Sequence, residues 1–543
     1  MNWNIQNSKI VTTRKKLLEH LVKNRGIQDI KQFLTPISPL KISSIDLEIN
    51  QKQLKKAVQR IKTAIKSQEK VLIYGDYDAD GISATSLVWL ALNHLGLKTQ
   101  PFIPDRMRHG YGMSKKALQE IIQDFNPKLI ITVDNGIVAH KELQWLKDKE
   151  IDVIVTDHHQ PSEQELPAYA LVHSTQISGA AVAWMLIREL DPKFANNLID
   201  LVAISTIADQ MPLLKANRSF TKHGLELLKE NKRPGLVALC QTAKIKPELI
   251  SAGTVGFMIA PRINAAGRIA HGLTAARLLC TQSLSTALDL AEQLEQLNQD
   301  RQDLTLLQFK TALKQAQSQN KQKILIVHSD QFHEGVIGLI SGKITEKFYK
   351  PSIAIATEGD VVKASARSIK GVNITDLIRE IKQDLLSVGG HELAAGFSAH
   401  KKKLPVIIKK LQKIGLQTID DELLRPQLNI DAVVDKQLLS FKTHDLLQSL
   451  EPFGIGNRKP ILAVKNCFVV QASSMGQDNQ HLKLMIRCDK QDYKTIQAIG
   501  WSMGSLVKEL VQKKIDLAFN LEINQWNGKK SLQLKIKDII LNN

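Results

Sequence analysis

Four stretches of this sequence carry acidic or imidazole side chains at the ends of apolar runs. Val71 to Tyr74 leads into Asp76-Tyr77-Asp78-Ala79-Asp80-Gly81, and Leu129 to Val133 leads into Asp134-Asn135-Gly136. Val153 to Val155 leads into Asp157-His158-His159, and the helix-like run Leu201 to Ala208 ends at Asp209. So many carboxylates at one edge would repel each other and be costly to desolvate unless divalent cations neutralised them. A lone aspartate in such a position is more simply a helix N-cap. Four groups together at strand and helix ends point to a metal cluster. Carboxylates alone tolerate Mg²⁺, whereas mixed Asp and His ligands suit Mn²⁺. A pair of ions about 3.5–4 Å apart could polarise a phosphoryl group, lower the pKa of water and stabilise a leaving oxygen, so hydrolysis of a phosphate ester is the expected chemistry.

For these groups to meet, the runs that carry them must belong to one sheet. Residues 70 to 210 alternate β-rich runs with helical stretches at Ser83–Leu95, Lys115–Gln123 and Gly179–Leu190, the pattern of an α/β domain with a parallel sheet. In such sheets ligands collect beyond the carboxyl ends of the strands. From Gly272 to Gly335 the interior holds neither Gly nor Pro, and Leu290, Leu294, Leu297 and Leu304 recur on one helical face. A long connecting helix is expected there. Its leucine stripe reads as packing between two lobes rather than a coiled coil, because Arg301 and Gln308 interrupt the seam.

A second α/β lobe follows at 322–400, with ILIV at 324–327, SIAIA at 352–356 and VVKASA at 361–366 as strands, and Val336–Phe348 and Ile374–Leu385 as helices. Beyond Pro426 the apolar segments are short and alternating, with turn formers at Gly476 and Asn527-Gly528. A small β-barrel of the oligonucleotide-binding sort fits this pattern, with a sandwich as the alternative. The expected division is an N-terminal helical segment at 1–50, a catalytic α/β domain at 51–215, a helical region at 216–320, a second α/β domain at 321–426 and the barrel at 427–543.

Length and charge agree with a multidomain protein whose partner is a polyanion, which composition alone does not name. A chain of 543 residues divides into about three or four domains. No apolar run reaches the roughly 18 residues of a membrane span and the start is polar, so a cytoplasmic protein is expected. The net charge is +19, of which residues 401–543 contribute +9. A phosphate polyanion gains from such a field, although scattered solubilising lysines would give the same balance. Cys240, Cys280, Cys467 and Cys488 lie far apart in sequence and suggest neither a disulfide framework nor a zinc site.

The motifs GDYDADG at 75–81, VDNG at 133–136, TDHH at 156–159 and IADQMPL at 207–213 resemble the successive motifs of the DHH phosphoesterase superfamily. GGHELAAG at 389–396 resembles the associated DHHA1 domain. Together with PRINAAGR at 261–268, HEGVIGLISGK at 333–343, SARS at 365–368 and PFGIGN at 452–457, the whole is similar to the bacterial single-strand-specific exonucleases of that superfamily. The resemblance implies Asp78, Asp80, Asp134, His158 and Asp209 as ligands of two Mn²⁺ or Mg²⁺ ions, with Asp134 and Asp209 able to touch both. Asp76 is implied as a weak or outer ligand. His159 would contact the scissile phosphate or assist proton transfer, and His391 would reach the reacting group across the cleft.

Arg106, Arg268, Ser365 and Arg367 would form a pocket for the 5′-terminal phosphate, suited by the planar donor fork of guanidinium. Gly389 and Gly390 would form a tight turn whose amides approach a phosphate. Phe468, Trp501 and Trp526 are candidate stacking residues, each equally readable as core. The implied activity is 5′-to-3′ hydrolysis of single-stranded DNA to 5′-mononucleotides in repair and recombination. The implied enzyme is a monomer, with single-strand-binding protein and a helicase as partners. Two rivals remain: a hydrolase of short oligonucleotides or cyclic dinucleotides, whose relatives generally lack the barrel, and a scaffold that binds strands without cutting, whose relatives lose ligands.

Overall fold

The computed structural model describes residues 2–6, 9–110, 112–488 and 495–542, without the side chains of Arg106, Met107 and Trp526. The first sheet is fully parallel, in the order Thr99–Phe102, Val71–Tyr74, Leu129–Val133, Asp152–Asp157, Ala170–His173. Its inner strands Val71–Tyr74 and Leu129–Val133 are buried along their whole length because both faces are covered. Val71, Ile73, Leu129 and Ile131 enter one core and Leu72, Tyr74, Ile130 and Val153 the other. The chain reverses strand order between Val71–Tyr74 and Leu129–Val133, which opens a crevice at their carboxyl ends.

Helix Ala79–His94 starts four residues before the expected Ser83. The reason is local: Asp78 is its N-cap, with Oδ1 accepting from the amides of Asp80 at 2.9 Å and Gly81 at 3.1 Å. Helix Gly179–Leu190 has the expected bounds. The expected helix at Ile374–Leu385 stops at Arg379 and continues only as a short 3₁₀ turn at Lys382–Asp384.

The long helix spans Leu284–Gln317. Leu290 and Leu294 lie in the core of the first lobe, while Leu304, Ala312 and Ala316 pack into the second. One rigid rod therefore sets the spacing of the two lobes, and its stripe is inter-lobe packing. The second sheet runs Ser387–His391, Ala394–His400, Val361–Arg367, Ser352–Ala356, Leu325–Ser329, with only the last pair parallel.

At the C-terminus, strands Leu462–Met475, His481–Arg487, Ile496–Gly500, Lys529–Asn542 and Lys514–Trp526 follow one another, and Leu462–Met475 pairs again with Lys514–Trp526. That last pairing closes a barrel and rules out the sandwich. Asn527 and Gly528, at φ 47° and 77°, make the tight hairpin turn. The antiparallel register that opposes Phe468 to Arg487 also brings Cys467 and Cys488 together, and the structure joins them as a disulfide. The expectation of four separate thiols fails there, because proximity across a ladder leaves no trace in sequence spacing.

The N-terminal residues join the barrel. Asn2–Ile5 pairs in parallel with Gln427–Ile430, and Val11, Leu17, Leu21 and Phe33 enter the barrel core. Among the described residues no helix is long and apolar enough to cross a membrane.

Candidate active site

Asp76, Asp78 and Asp80 leave the strand Val71–Tyr74, Asp134 leaves its neighbour Leu129–Val133, and His158 follows Asp152–Asp157. Helix Ile199–Ala208 delivers Asp209 to the same crevice. His158 Nε2 lies 3.2 Å from Asp134 Oδ1 and 3.8 Å from both Asp80 Oδ2 and Asp209 Oδ2. Ligand atoms lie within 4.8 Å of one another in three sets: Asp76-Asp78-Asp134, Asp80-His158-Asp209 and Asp134-His158-His159. Asp134 and His158 are each common to two of them, whereas Asp209 falls in one.

These side chains fit divalent ions. Asp134 is buried at φ 60°, and its Oδ1 makes no hydrogen bond, while four carboxylates, Asp80, Asp78, Asp76 and Asp157, stand nearby. Burial, then the charges of Asp80, Asp78 and Asp76, push its carboxyl well above the usual range. Burial and Asp80 also raise Asp78. Burial first, then Asp80 and Asp78, raise Asp209 to about 8, with His159 opposing. His158 is shifted down by burial despite its acidic neighbours, which keeps the imidazole neutral and its lone pair available. A cluster that binds protons this avidly is one that cations would occupy.

Asp80 has a second job. Its oxygens accept from Gly179 N and Ala180 N, both at 2.8 Å, and from Ser205 Oγ at 2.6 Å, so it caps the next helix while facing the cluster. A Cβ on Gly179 would stand 2.5 Å from Asp134 Oδ1, so only glycine lets that helix approach.

Several positioning residues escaped the sequence reading. Asp157 Oδ1 holds His159 Nδ1 at 2.7 Å and also accepts from the amides of His158 and His159, while its Oδ2 accepts from Ile137 N. Burial alone would lower the His159 pKa, but the Asp157 hydrogen bond and the charges of Asp157, Asp80 and Asp209 raise it to about 9. The ring is thus a held proton donor beside the cluster. Asn135 Nδ2 ties its loop to Gly75 O at 2.9 Å, and Asn264 Oδ1 accepts from Ala79 N at 2.7 Å. Asn264 belongs to the PRINAAGR motif, whose Gly267 lets the helix press against Tyr77 O. Adjacency to the two histidines was the available signal for Asp157.

Across the cleft, Ser365 and Arg367 lie against Gly338, at the start of helix Ile337–Phe348. Arg268 Nη1 donates to Gly335 O at 3.2 Å. Two guanidinium groups and a hydroxyl therefore gather round a helix N-terminus, an arrangement suited to phosphate. The side chain of Arg106 lies outside the described residues.

Gly389 and Gly390 do not form a turn. They lie in the edge strand Ser387–His391, paired with Gly396 and Ala395, and the reversal falls at Glu392-Leu393. Gly390 has φ 145° and its Cβ position is blocked by Ala394 O. His391 is exposed, and among the described residues its side chain makes no hydrogen bond or ion pair with the acidic cluster. On the barrel, Trp501 is 53% exposed beside His481, whereas Phe468 is half-buried beneath Arg487. The side chain of Trp526 lies outside the described residues.

Family models for the DHH family N-terminal domain, the DHHA1 domain and the RecJ OB domain match residues 70–206, 321–414 and 430–538. The chain is 34% identical over 500 residues to the single-stranded-DNA-specific exonuclease RecJ of Bacillus subtilis, covering 90% of this chain and 63% of that protein. To the protein of the same name from Haemophilus influenzae it is 31% identical, covering 96% and 95%. The structure of RecJ from Thermus thermophilus in complex with Mn²⁺ superimposes with a TM-score of 0.84 at 26% identity, covering 100% of this chain and 80% of that one. The same protein in complex with Mg²⁺ gives 0.76 at 25% identity, covering 99% and 78%.

Proposed function

The chain belongs to the RecJ family of single-stranded-DNA-specific exonucleases, and from that membership we propose that it is a metal-dependent exonuclease acting from the 5′ end of single-stranded DNA and releasing 5′-mononucleotides. The observation that carries this reading is the convergence of five side chains from four separate segments: Asp78, Asp80, Asp134, His158 and Asp209. They would hold Mn²⁺ or Mg²⁺, as the pair of ions the sequence motifs imply, with Asp76 in support. Bound, such ions supply Lewis-acid polarisation of the phosphodiester and lower the pKa of water.

The protein's own groups do the rest. Asp157 accepts from His159 Nδ1 and so orients the ring, and the raised pKa of about 9 would keep a second proton on Nε2 for donation to a phosphate oxygen. Arg268, Arg367, Ser365 and the first amides of the Ile337–Phe348 helix would seat the terminal phosphate, with Arg106 joining them, so polarity follows from where the strand's end is held. Gly389, Gly390 and His391 form an edge strand along which the following phosphates would run. The barrel, with Trp501 exposed, would track the strand by charge and stacking rather than by base edges. We place the protein in the cytoplasm as a monomer, working in repair and recombination with a single-strand-binding protein and a helicase that expose its substrate.

Digestion of strands labelled at either end, with Mn²⁺ titrated, tests the reading. Labelled mononucleotide should appear first from the 5′ label, and Asp134→Ala should abolish it. Equal release from both ends, or an active Asp134→Ala protein, would overturn it.

A further inference from the structure

Asp209 differs from Asp78 and Asp80 in how it is held, and from the buried Asp134 in its exposure. Asp80 accepts three hydrogen bonds and Asp78 two, whereas among the described residues none reaches the Asp209 carboxylate. Its side chain is 30% exposed, against 2% for Asp80. Its position is therefore set by the backbone at the C-cap of the Ile199–Ala208 helix, where the loop to the Lys215–Glu230 helix begins.

That loop is gripped from the barrel side. Leu213 N donates to Ile455 O at 2.8 Å. A Cβ on Gly454 would stand 2.6 Å from Leu213 Cδ1, and Leu213 is buried with little room to yield. A Cβ on Gly456 would meet Leu214 Cδ1 at 3.1 Å, and Gly456 sits at φ 75°. The gripping loop is itself fixed. Asn457, fully buried, donates through Nδ2 to Leu450 O at 2.8 Å and Pro452 O at 2.9 Å, and Arg25 Nε donates to Asn457 Oδ1 at 3.0 Å.

We propose that the Gly454–Gly456 segment of the barrel module is a positioning element for Asp209, so that the barrel helps set the metal-binding geometry as well as contacting the strand. The proposal rests on Asp209 being a metal ligand, as read above. It gives the PFGIGN motif a role: two glycines allow contact with the ligand loop, and Asn457 stiffens the turn that makes it.

The test is steady-state digestion of single-stranded DNA by the full chain, with Mn²⁺ titrated well below the melting temperature, together with titration calorimetry of Mn²⁺ binding without strand, in which the Gly454→Val protein should bind the ion more weakly. Gly454→Val should lower kcat by about tenfold or more and raise the Mn²⁺ concentration for half-maximal activity, leaving KM for the strand unchanged, because small misplacements of reacting groups are costly. Adding Leu213→Ala should restore most of the loss, since the new methyls fill the emptied volume. Leu213→Ala alone should shift both quantities in the same direction, and it keeps the test readable should Gly454→Val fail to fold. Wild-type kcat and Mn²⁺ requirement in these variants, or a loss confined to KM or melting temperature, overturns the proposal. Asp209→Asn run alongside separates the two levels. An inactive Asp209→Asn with unaffected clasp variants sinks the clasp alone, whereas an Asp209→Asn protein with normal metal dependence removes the ligand reading beneath it.

Discussion

Asp209 holds a proton up to about pH 8 because burial and then the charges of Asp80 and Asp78 disfavour its carboxylate. In the unfolded chain an aspartate titrates near pH 4. Between those values the folded protein without ions binds the extra proton, so its stability falls as pH rises towards 8. A divalent ion displaces that proton and relieves the repulsion. Mn²⁺ should therefore raise the melting temperature more at about pH 8.5 than at about pH 6, and titration calorimetry should show proton release on binding at the lower pH. An ion effect equal at both pH values would mean that these carboxylates are not where Mn²⁺ binds. The same residue scale shows why single-residue readings were incomplete. Asp78 is at once an N-cap and a member of the acidic cluster, so cap and ligand are not exclusive alternatives.

The Gly179–Leu190 helix shows how an element can be placed by the chemistry it serves. Its first amides are capped by Asp80, and its first residue touches Asp134. Alanine is the better helix former, so Gly179→Ala should help the helix in isolation. In the protein the added Cβ would displace the Asp134 carboxylate, and turnover should fall by about tenfold to a hundredfold with the fold retained. Circular dichroism together with single-turnover digestion checks both halves, and an unimpaired turnover would show that Asp134 has slack that the packing denies. The Leu284–Gln317 helix was legible from its uninterrupted leucine stripe, whereas the start of Ala79–His94 was not, because the motif's glycine and aspartates look like loop.

For the whole molecule, Arg218 shows how the modules are joined. It is 1% exposed, donates to the carbonyls of Phe33, Leu450, Glu451 and Pro452, and stacks on the Phe33 ring at 3.6 Å. Among the described residues it has no carboxylate partner, and burial lowers its pKa to about 10. One side chain thus links the helical region that follows the catalytic domain, the N-terminal segment and the barrel. Arg218→Ala leaves several buried carbonyls without donors and should cost about 3 kcal/mol or more, measured by urea unfolding. A change within about 0.5 kcal/mol, ordinary for a surface site, would show that the modules are held elsewhere.

Sequence alone determined the parallel α/β lobe, the long helix, the acidic cluster and its metal chemistry. Apolar periodicity and charge at strand ends are local patterns, and a doubly covered sheet forces those ends together. Only the tertiary structure decided the closed barrel, the Cys467–Cys488 pair, the strand form of Gly389-Gly390, the N-terminal segment's place in the barrel, and the contact between Leu213 and Ile455. Each of these is a meeting of residues far apart in the chain, fixed by ladder register or by the room a missing Cβ leaves, and neither is written in the spacing of residue types.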